Sequence, residues 1–368
     1  MVGTINGFIV FGGQDPSSTA LVDVQGRELS YGRLRENVGS NVQALNAAGF
    51  RPNDRIALIM PNGPMMAMAL LTVASGFTCV PLNPGYRGAE LEWHLAGVGA
   101  KCILTPSGFG SPAKEVASRM GIELVELEGV ESEVGAFRLK GQESKPSAEP
   151  VWAGSDDVAF MMHTSGTTSR PKLVALTNAI VAHSIEVIAE RLRLTPTDRG
   201  INFLQLFHVH GQMMVLTSLA AGSSIVCAPA FDPERILSWV EGLSPTWYSA
   251  VPTMHIAILE AAKENPSFMA KSQLRFIRSA SSALPVRVIS ELEDTLRVPV
   301  IEAYGMTEAS HGISCNPLPP GKRVAGSVGI IYRGAEWTAV ELEPEGRLFC
   351  CFVVEGALAG IEFYDWKG

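Results

Sequence analysis

The chain predicts an α/β fold with a doubly wound parallel sheet, on three observations. Short apolar runs alternate with segments whose apolar residues recur at helical spacing, the pattern of strands joined by crossover helices. At 368 residues the chain is too long for one small core and calls for two or three lobes. Apolar residues make up 46% and charged residues 18% of it, which suits large buried strands.

From the N-terminus, Thr19 to Val24 and Leu29 to Tyr31 read as a hairpin about Gly26, and Gly32 to Gly49 as a helix with Leu34, Val38, Val42 and Leu45 on one face. Asp54 to Met60 is a buried strand ended by Pro61-Asn62-Gly63. Pro64 to Val80 is an apolar, Met-rich helix interrupted by Ser75-Gly76; it reads as a buried helix rather than a membrane span, its methionines filling core. Cys79 to Leu82 is a strand, Glu90 to Val98 a helix and Ala100 to Thr105 a strand. Residues 107–156 carry the weakest pattern, with acidic residues at Glu123 to Glu133 and a polar tract from Lys140 to Pro150; they read as a connection. Val158 to Met162 is a short buried strand, and the apolar segment after Lys172 reads as a helix, followed by Asn178 to Leu192. Strands at Ile201 to Phe207, Ser223 to Pro229, Thr246 to Pro252, Leu274 to Ser279 and Val298 to Ala303 alternate with helices at Gln212 to Ala221, Pro233 to Gly242 and Thr253 to Lys263. Leu348 to Val354 is a further strand.

Composition excludes several functions. The net charge is −8 with no block of like charges, which gives no electrostatic case for nucleic acid or an anionic membrane. The six cysteines show no C-x-x-C spacing and read as reduced thiols rather than a disulfide or zinc framework. The N-terminus lacks the basic and long apolar regions of a signal peptide. No G-x-S-x-G elbow occurs, and the H-x-H of His208 and His210 lacks a third ligand and a carboxylate for a metal site.

The strand Val158 to Met162 opens into Thr164-Ser165-Gly166-Thr167-Thr168-Ser169-Arg170-Pro171-Lys172. Small hydroxyl residues around a glycine leave backbone N–H groups free to curl around phosphate oxygens, and Lys172 adds a mobile point charge. Pro171 and Leu173 stand where a Walker loop needs Gly and Ser/Thr, which argues against a P-loop NTPase; a hydroxyl-rich surface turn is the alternative. A second cluster, Tyr304-Gly305-Met306-Thr307-Glu308, lies at a strand end and combines an aromatic ring, a close-approach glycine, a hydroxyl and a hard carboxylate ligand for Mg²⁺. Ser279 to Leu284 is a small-residue turn against which a flat ring could lie; a capped helix start is the alternative.

Thr164 to Lys172 and Tyr304 to Glu308 resemble the signature motifs of the adenylate-forming superfamily of acyl-CoA synthetases, luciferases and adenylation domains. Ser169 and Leu173 depart from that pattern, since glycine is usual at both. The stretches H-T-S-G-T-T-S-R-P-K, F-H-V-H-G, W-Y-S-A-V-P-T, R-F-I-R-S, T-E-A-S-H and S-C-N-P-L-P-P together resemble the oxalate–CoA ligase group. The resemblance implies two doubly wound α/β lobes of an adenylate-forming N-terminal domain, with boundaries expected at 1–180, 181–315 and 316–368, the last an incomplete β subdomain. It implies ATP, Mg²⁺ and coenzyme A as cofactors and co-substrates, and a small carboxylic acid as substrate. Thr164, Ser165, Gly166, Thr167, Thr168 and Lys172 would grip the phosphates. Ala280 and Ser282 would border the adenine, Tyr304 would stack on it and Gly305 would allow its close approach. Thr307 would touch the α-phosphate and Glu308 would hold the magnesium. His208, Ser281 and His311 would bind the acid, His210 being the lesser candidate beside a structural role.

The resemblance covers about residues 19 to 329 and fades after Gly326 to Gly329. The family's mobile C-terminal domain, with its adenylation lysine, is not recognisable between there and Gly368. The expectation is therefore an N-terminal part that turns over slowly unless such a domain is supplied in trans. A non-catalytic nucleotide- or adenylate-binding protein is the alternative. The chain ends in Trp-Lys-Gly, without the peroxisomal tripeptide of some relatives, so a cytoplasmic location is expected.

Overall fold

The computed structural model describes residues 3–141, 149–164, 172–265 and 271–332, and the backbone of 335–337, 347–354 and 357–365. Two large sheets face each other across a layer of helices.

The first sheet runs in the order β7-β6-β5-β3-β4-β8-β9. Its strands are β3 (Arg55–Leu58), β4 (Thr78–Pro81), β5 (Cys102–Pro106), β6 (Glu123–Gly129), β7 (Phe137–Leu139), β8 (Val158–Thr164) and β9 (Lys172–Thr177). The four inner pairings are parallel, while β6–β7 and β8–β9 at the two edges are antiparallel.

The second sheet runs β16-β15-β14-β13-β12-β10-β11-β1-β2. It comprises β1 (Thr19–Val22), β2 (Glu28–Ser30), β10 (Arg199–Asn202), β11 (Ser224–Cys227), β12 (Trp247–Ala250), β13 (Phe276–Ser279), β14 (Val300–Tyr304), β15 (Ser314–Cys315) and β16 (Ile330–Ile331). Strand β1 pairs in parallel with β11, so the N-terminal hairpin belongs to this sheet. Apart from that hairpin, strands β3 to β9 lie in the first sheet and β10 to β16 in the second. A third sheet, β17 (Ala335–Trp337), β18 (Arg347–Val354) and β19 (Ala357–Asp365), is antiparallel.

Helices α1 (Ile5–Ile9), α2 (Tyr31–Ala47), α3 (Pro64–Gly76), α6 (Asn178–Arg191) and α7 (Val209–Ala220) fill the layer between the two large sheets. Met66 and Met68 of α3 lie in that core, where their flexible thioethers fill irregular gaps. Helices α4 (Gly88–Val98) and α5 (Ala113–Met120) cover the outer face of the first sheet. On the outer face of the second are α8 (Ile236–Leu243), α9 (Pro252–Glu264) and α10 (Val286–Leu296). Cys79, Cys102, Cys227 and Cys315 are buried and unbridged. No helix among the described residues is long and apolar enough to cross a membrane.

Three expectations are corrected. The segment after Lys172 is strand β9, not a helix: it pairs antiparallel with β8, and the Thr177 hydroxyl accepts from the Ile180 N–H to start α6, so the helix cannot extend backward. The strand expected from Ile201 to Phe207 stops at Asn202, because the Asn202 side chain accepts from the Leu204 N–H at 3.2 Å and donates to the Leu204 carbonyl at 3.2 Å, offering the backbone a turn in place of the ladder. Helix α7 accordingly begins at Val209, ahead of the Gln212 start expected. Residues 107–156 hold α5, β6 and β7 rather than a plain connection; the acidic run lies on β6, one strand in from the β7 edge, and in the turn that follows it.

Candidate active site

The carboxyl ends of parallel strands β10, β12, β13 and β14 open toward one crevice, where doubly wound sheets hold their ligands. The turn after β14 carries the second motif. Ala309 and His311 N–H groups both donate to the Met306 carbonyl, at 3.2 and 2.9 Å, and Ser310 N–H to that of Thr307 at 3.0 Å. Ser310 and His311 sit in the left-handed region at φ 47° and 63°, a strain that native structures hold mainly at functional sites. A Cβ on Gly305 would lie 2.2 Å from the His311 carbonyl oxygen, so only glycine permits the turn. Tyr304, half-buried, closes β14 and pairs with Ser314.

This turn, with Thr307 and Glu308 on a short 3-10 segment (Thr307–Ala309), packs against β9. The two motifs, more than a hundred residues apart in sequence, therefore form adjacent walls. Lys172 opens β9 with an exposed side chain and pairs with Thr164 across the hairpin. Leu173 pairs with His163 and keeps its side chain exposed. Ser165, Gly166, Thr167 and Thr168 lie outside the described residues. On the flank of this hairpin His163 faces His94 with Nδ1 atoms 3.1 Å apart. Burial, with the His94 ring beside it, brings His163 down to about 4.

Two features fit a phosphate ligand with magnesium. The Thr164 hydroxyl is buried without a hydrogen-bond partner among the described residues, and Glu308 is half-buried and takes part in none of the ion pairs found there. Such groups cost free energy until a ligand satisfies them.

The acid-side residues are assembled by α7, β12, β13 and the β14 turn. His210, buried in the first turn of α7, places Nδ1 3.0 Å from Ser281 Oγ and Nε2 2.6 Å from Ser249 Oγ. Its ring lies 4.4 Å from that of His311. Arg278 Nη1 reaches His210 Nε2 at 3.4 Å, His311 Nε2 at 3.3 Å and Ser249 Oγ at 3.3 Å. A guanidinium only donates, and Nη1 has two protons for these three contacts; the shortest contact of His210 is the one to Ser249 Oγ, whose hydroxyl also reaches the Arg278 carbonyl at 3.2 Å. His210 Nδ1 and the Ser281 hydroxyl share one hydrogen bond at 3.0 Å, which ties Ser281 to the buried ring. Burial, then the nearby positive charge of Arg278, holds His311 well below the usual histidine range; burial and then the neighbouring His311 ring do the same for His210. Ser281 sits at φ 74°.

Of the residues expected to bind the acid, Ser281 and His311 are brought together. The ring that joins them is His210, not His208, which is the N-cap of α7, makes no side-chain cap bond and is exposed. Ala280 is buried beneath the turn, with its N–H 3.3 Å from the Ala250 carbonyl, and Ser282 is exposed. Arg278 and Ser249 were not singled out from sequence. The available signal was a second arginine inside the apolar run R-F-I-R-S, since arginine is rare on a buried strand unless paired. An open cleft of about 720 Å³, lined by residues that include Asp23, Asn62, Met65, Glu131 and Cys227, contains none of these side chains.

The fold is a two-sheet α/β architecture that brings the two motifs together beside a buried cluster of histidine, serine and arginine side chains. The chain belongs to the AMP-binding enzyme family, whose model matches residues 11–349. It is 37% identical over 309 residues to an oxalate–CoA ligase of Arabidopsis thaliana, covering 82% of this chain and 60% of that protein. It is 36% identical over 330 residues to the oxalate–CoA ligase of Saccharomyces cerevisiae, again 82% and 60%. The chain thus spans about 60% of the length of these relatives. Among solved structures, ATP-bound MatB from Rhodopseudomonas palustris superposes with a TM-score of 0.85 at 24% identity, over 98% of this chain and 72% of that one.

Proposed function

We propose that these residues form the nucleotide and acid site of an AMP-forming acid–CoA ligase whose substrate is a small polar acid such as oxalate. The observation that carries this reading is the meeting of β9 with the Thr307–Ala309 turn, beside a pocket in which Ser281, His210 and His311 converge. The reaction joins acid and ATP to give acyl-adenylate and pyrophosphate; coenzyme A then displaces AMP to give the thioester. The substrate carboxylate attacks the α-phosphorus, so the protein needs no nucleophile and contributes alignment and charge neutralisation. Lys172 and the hydroxyl loop take the phosphates, Thr307 the α-phosphate, and Tyr304, Gly305, Ala280 and Ser282 the adenine side. Glu308 would hold Mg²⁺, which offsets phosphate charge. Ser281, His311 and His210 take the acid, with His208 at the pocket's outer edge. Four buried, unbridged cysteines fit a reducing compartment, and the cytoplasm is the location proposed.

The test is acid-dependent pyrophosphate release, together with MgATP affinity, in the parent and in Glu308→Gln. Removing one charged contact should weaken MgATP binding about ten- to a hundredfold while circular dichroism is unchanged. Equal affinity in the two proteins would remove the metal role. MgATP binding with no acid-dependent release, even with a relative's C-terminal domain added, would leave a nucleotide-binding protein in place of a ligase.

A further inference from the structure

We infer that Arg278 makes the pocket selective for an acid carrying a second negative charge. The inference rests on the proposed acid site and names the class of acid it takes.

Arg278 sits inside β13, 3% exposed, with Ser249 of β12 and Ile301 of β14 as its register partners. Its Nε and Nη2 make no well-formed hydrogen bond among the described residues, where Cys315 and Tyr332 are the further groups that interact with its guanidinium. The three contacts of Nη1, at 3.3 to 3.4 Å, are long and share two protons. None of the ion pairs among the described residues includes Arg278. Glu302, on neighbouring β14, is one residue out of register with it and so points to the opposite face of the sheet. Its carboxylate there accepts from the Gly326 N–H at 2.8 Å.

The groups that do face the guanidinium are neutral. They are the His210 and His311 rings, the Ser249 hydroxyl, and Cys315 and Tyr332, both of whose proton-bearing forms burial favours. A buried charge is ordinarily paired, because leaving it alone costs several kcal/mol. Among the described residues no anionic partner faces the guanidinium, at the place where the site residues Ser281, His210 and His311 meet. An acid that presents one carboxylate to the nucleotide and a second anionic group to this wall supplies one. An acid with a neutral group there leaves the guanidinium unpaired. A guanidinium fork also suits a carboxylate better than an ammonium does, which explains arginine at this position.

The probes are oxalate and oxamate, which have nearly the same shape but differ by one negative charge. Binding to the MgATP-loaded protein is measured by calorimetry in the parent, Arg278→Met and Arg278→Lys, with circular dichroism to establish folding. The parent should prefer oxalate by about ten- to a hundredfold. Arg278→Met should bring the ratio to within about threefold and Arg278→Lys should lie between. A folded Arg278→Met that keeps the parent's ratio overturns the inference. So does equal affinity for the two acids in the parent, which needs no variant. A parent that binds MgATP but neither acid overturns the functional reading itself, and this inference with it.

Discussion

The two walls of the site are built in opposite ways. The phosphate wall is a hairpin edge: β8 and β9 pair antiparallel at the margin of the first sheet, Lys172 and Leu173 are exposed, and the charge is carried on a flexible stem. The acid wall is the interior of the second sheet: Arg278, Ser249, His210 and His311 are all buried, and each contacts another. On the proposed function, the ligands account for the difference. A triphosphate with magnesium is large, brings its own countercharge and must enter and leave. A small acid offers only a few atoms, so discrimination needs donors already fixed in place and shielded from water, where each contact counts for more.

Lys172→Ala tests the open wall and carries the largest expected effect. Removing one positive charge from the phosphates, where negative charge shifts in the transition state, should lower acid-dependent pyrophosphate release by about 10²–10³. Because the side chain is exposed, folding stability should change by no more than about 0.5 kcal/mol. A rate within threefold of the parent would show that the hairpin lysine does not reach the phosphates.

Acid pH tests the closed wall. Burial brings His255, which lies beneath Arg278 with Nε2 3.2 Å from its carbonyl oxygen, down to about 4. In the unfolded chain a histidine titrates near 6.5. Between these values the unfolded state binds a proton that the folded state does not, so stability rises with pH and is lost on acidification from about 6.5 toward 4. For His255 the full loss is about 3 kcal/mol. Urea unfolding at pH 7 and pH 4.5 should show it, and His255→Gln should flatten the dependence by up to one proton. An unchanged slope in the variant would exclude His255 as a proton-linked group.

The motifs of the open wall stand out in the sequence, and much of the closed wall does not. The hydroxyl loop and Tyr304 to Glu308 are contiguous, so their composition announces them. Most strands of both sheets were legible because buried parallel strands read as short apolar runs. The helix expected after Lys172 failed because a short apolar run has no period that distinguishes helix from strand, and the Thr177 cap decides it. The placement of β1 and β2 beside β11 is a long-range pairing that no local pattern encodes. The exchange of His208 for His210 has a local cause: the Asn202 turn ends β10 early, α7 starts at Val209, and the second histidine turns inward. Arg278 was visible only as a charge in an apolar strand. Its meaning depends on His210 and His311, which lie 68 and 33 residues away in sequence.

The smallest expected effect is on stability, and it separates a built site from a structural arginine. If Arg278 served the fold, replacing it would leave His210, His311 and Ser249 without a donor and lower the melting temperature. The geometry argues the reverse. Two of its nitrogens make no well-formed hydrogen bond among the described residues, and a buried charge in that state costs more than its long contacts return. Methionine removes the charge and keeps most of the side chain's length. Arg278→Met should therefore be more stable than the parent by about 1–3 kcal/mol in the absence of ligand, a rise of a few degrees. The loss of a donor to two imidazoles reduces that gain. Saturating oxalate with MgATP should stabilise the parent more than the variant, because binding to the native state adds stability in proportion to affinity, and the gap should narrow or reverse. The same pair of melts on Lys172→Ala should show no gain without ligand, since its charge is already in water. A melting temperature for Arg278→Met several degrees below the parent, unaffected by the acid, would make the guanidinium a structural strut and would erase the contrast between the two walls.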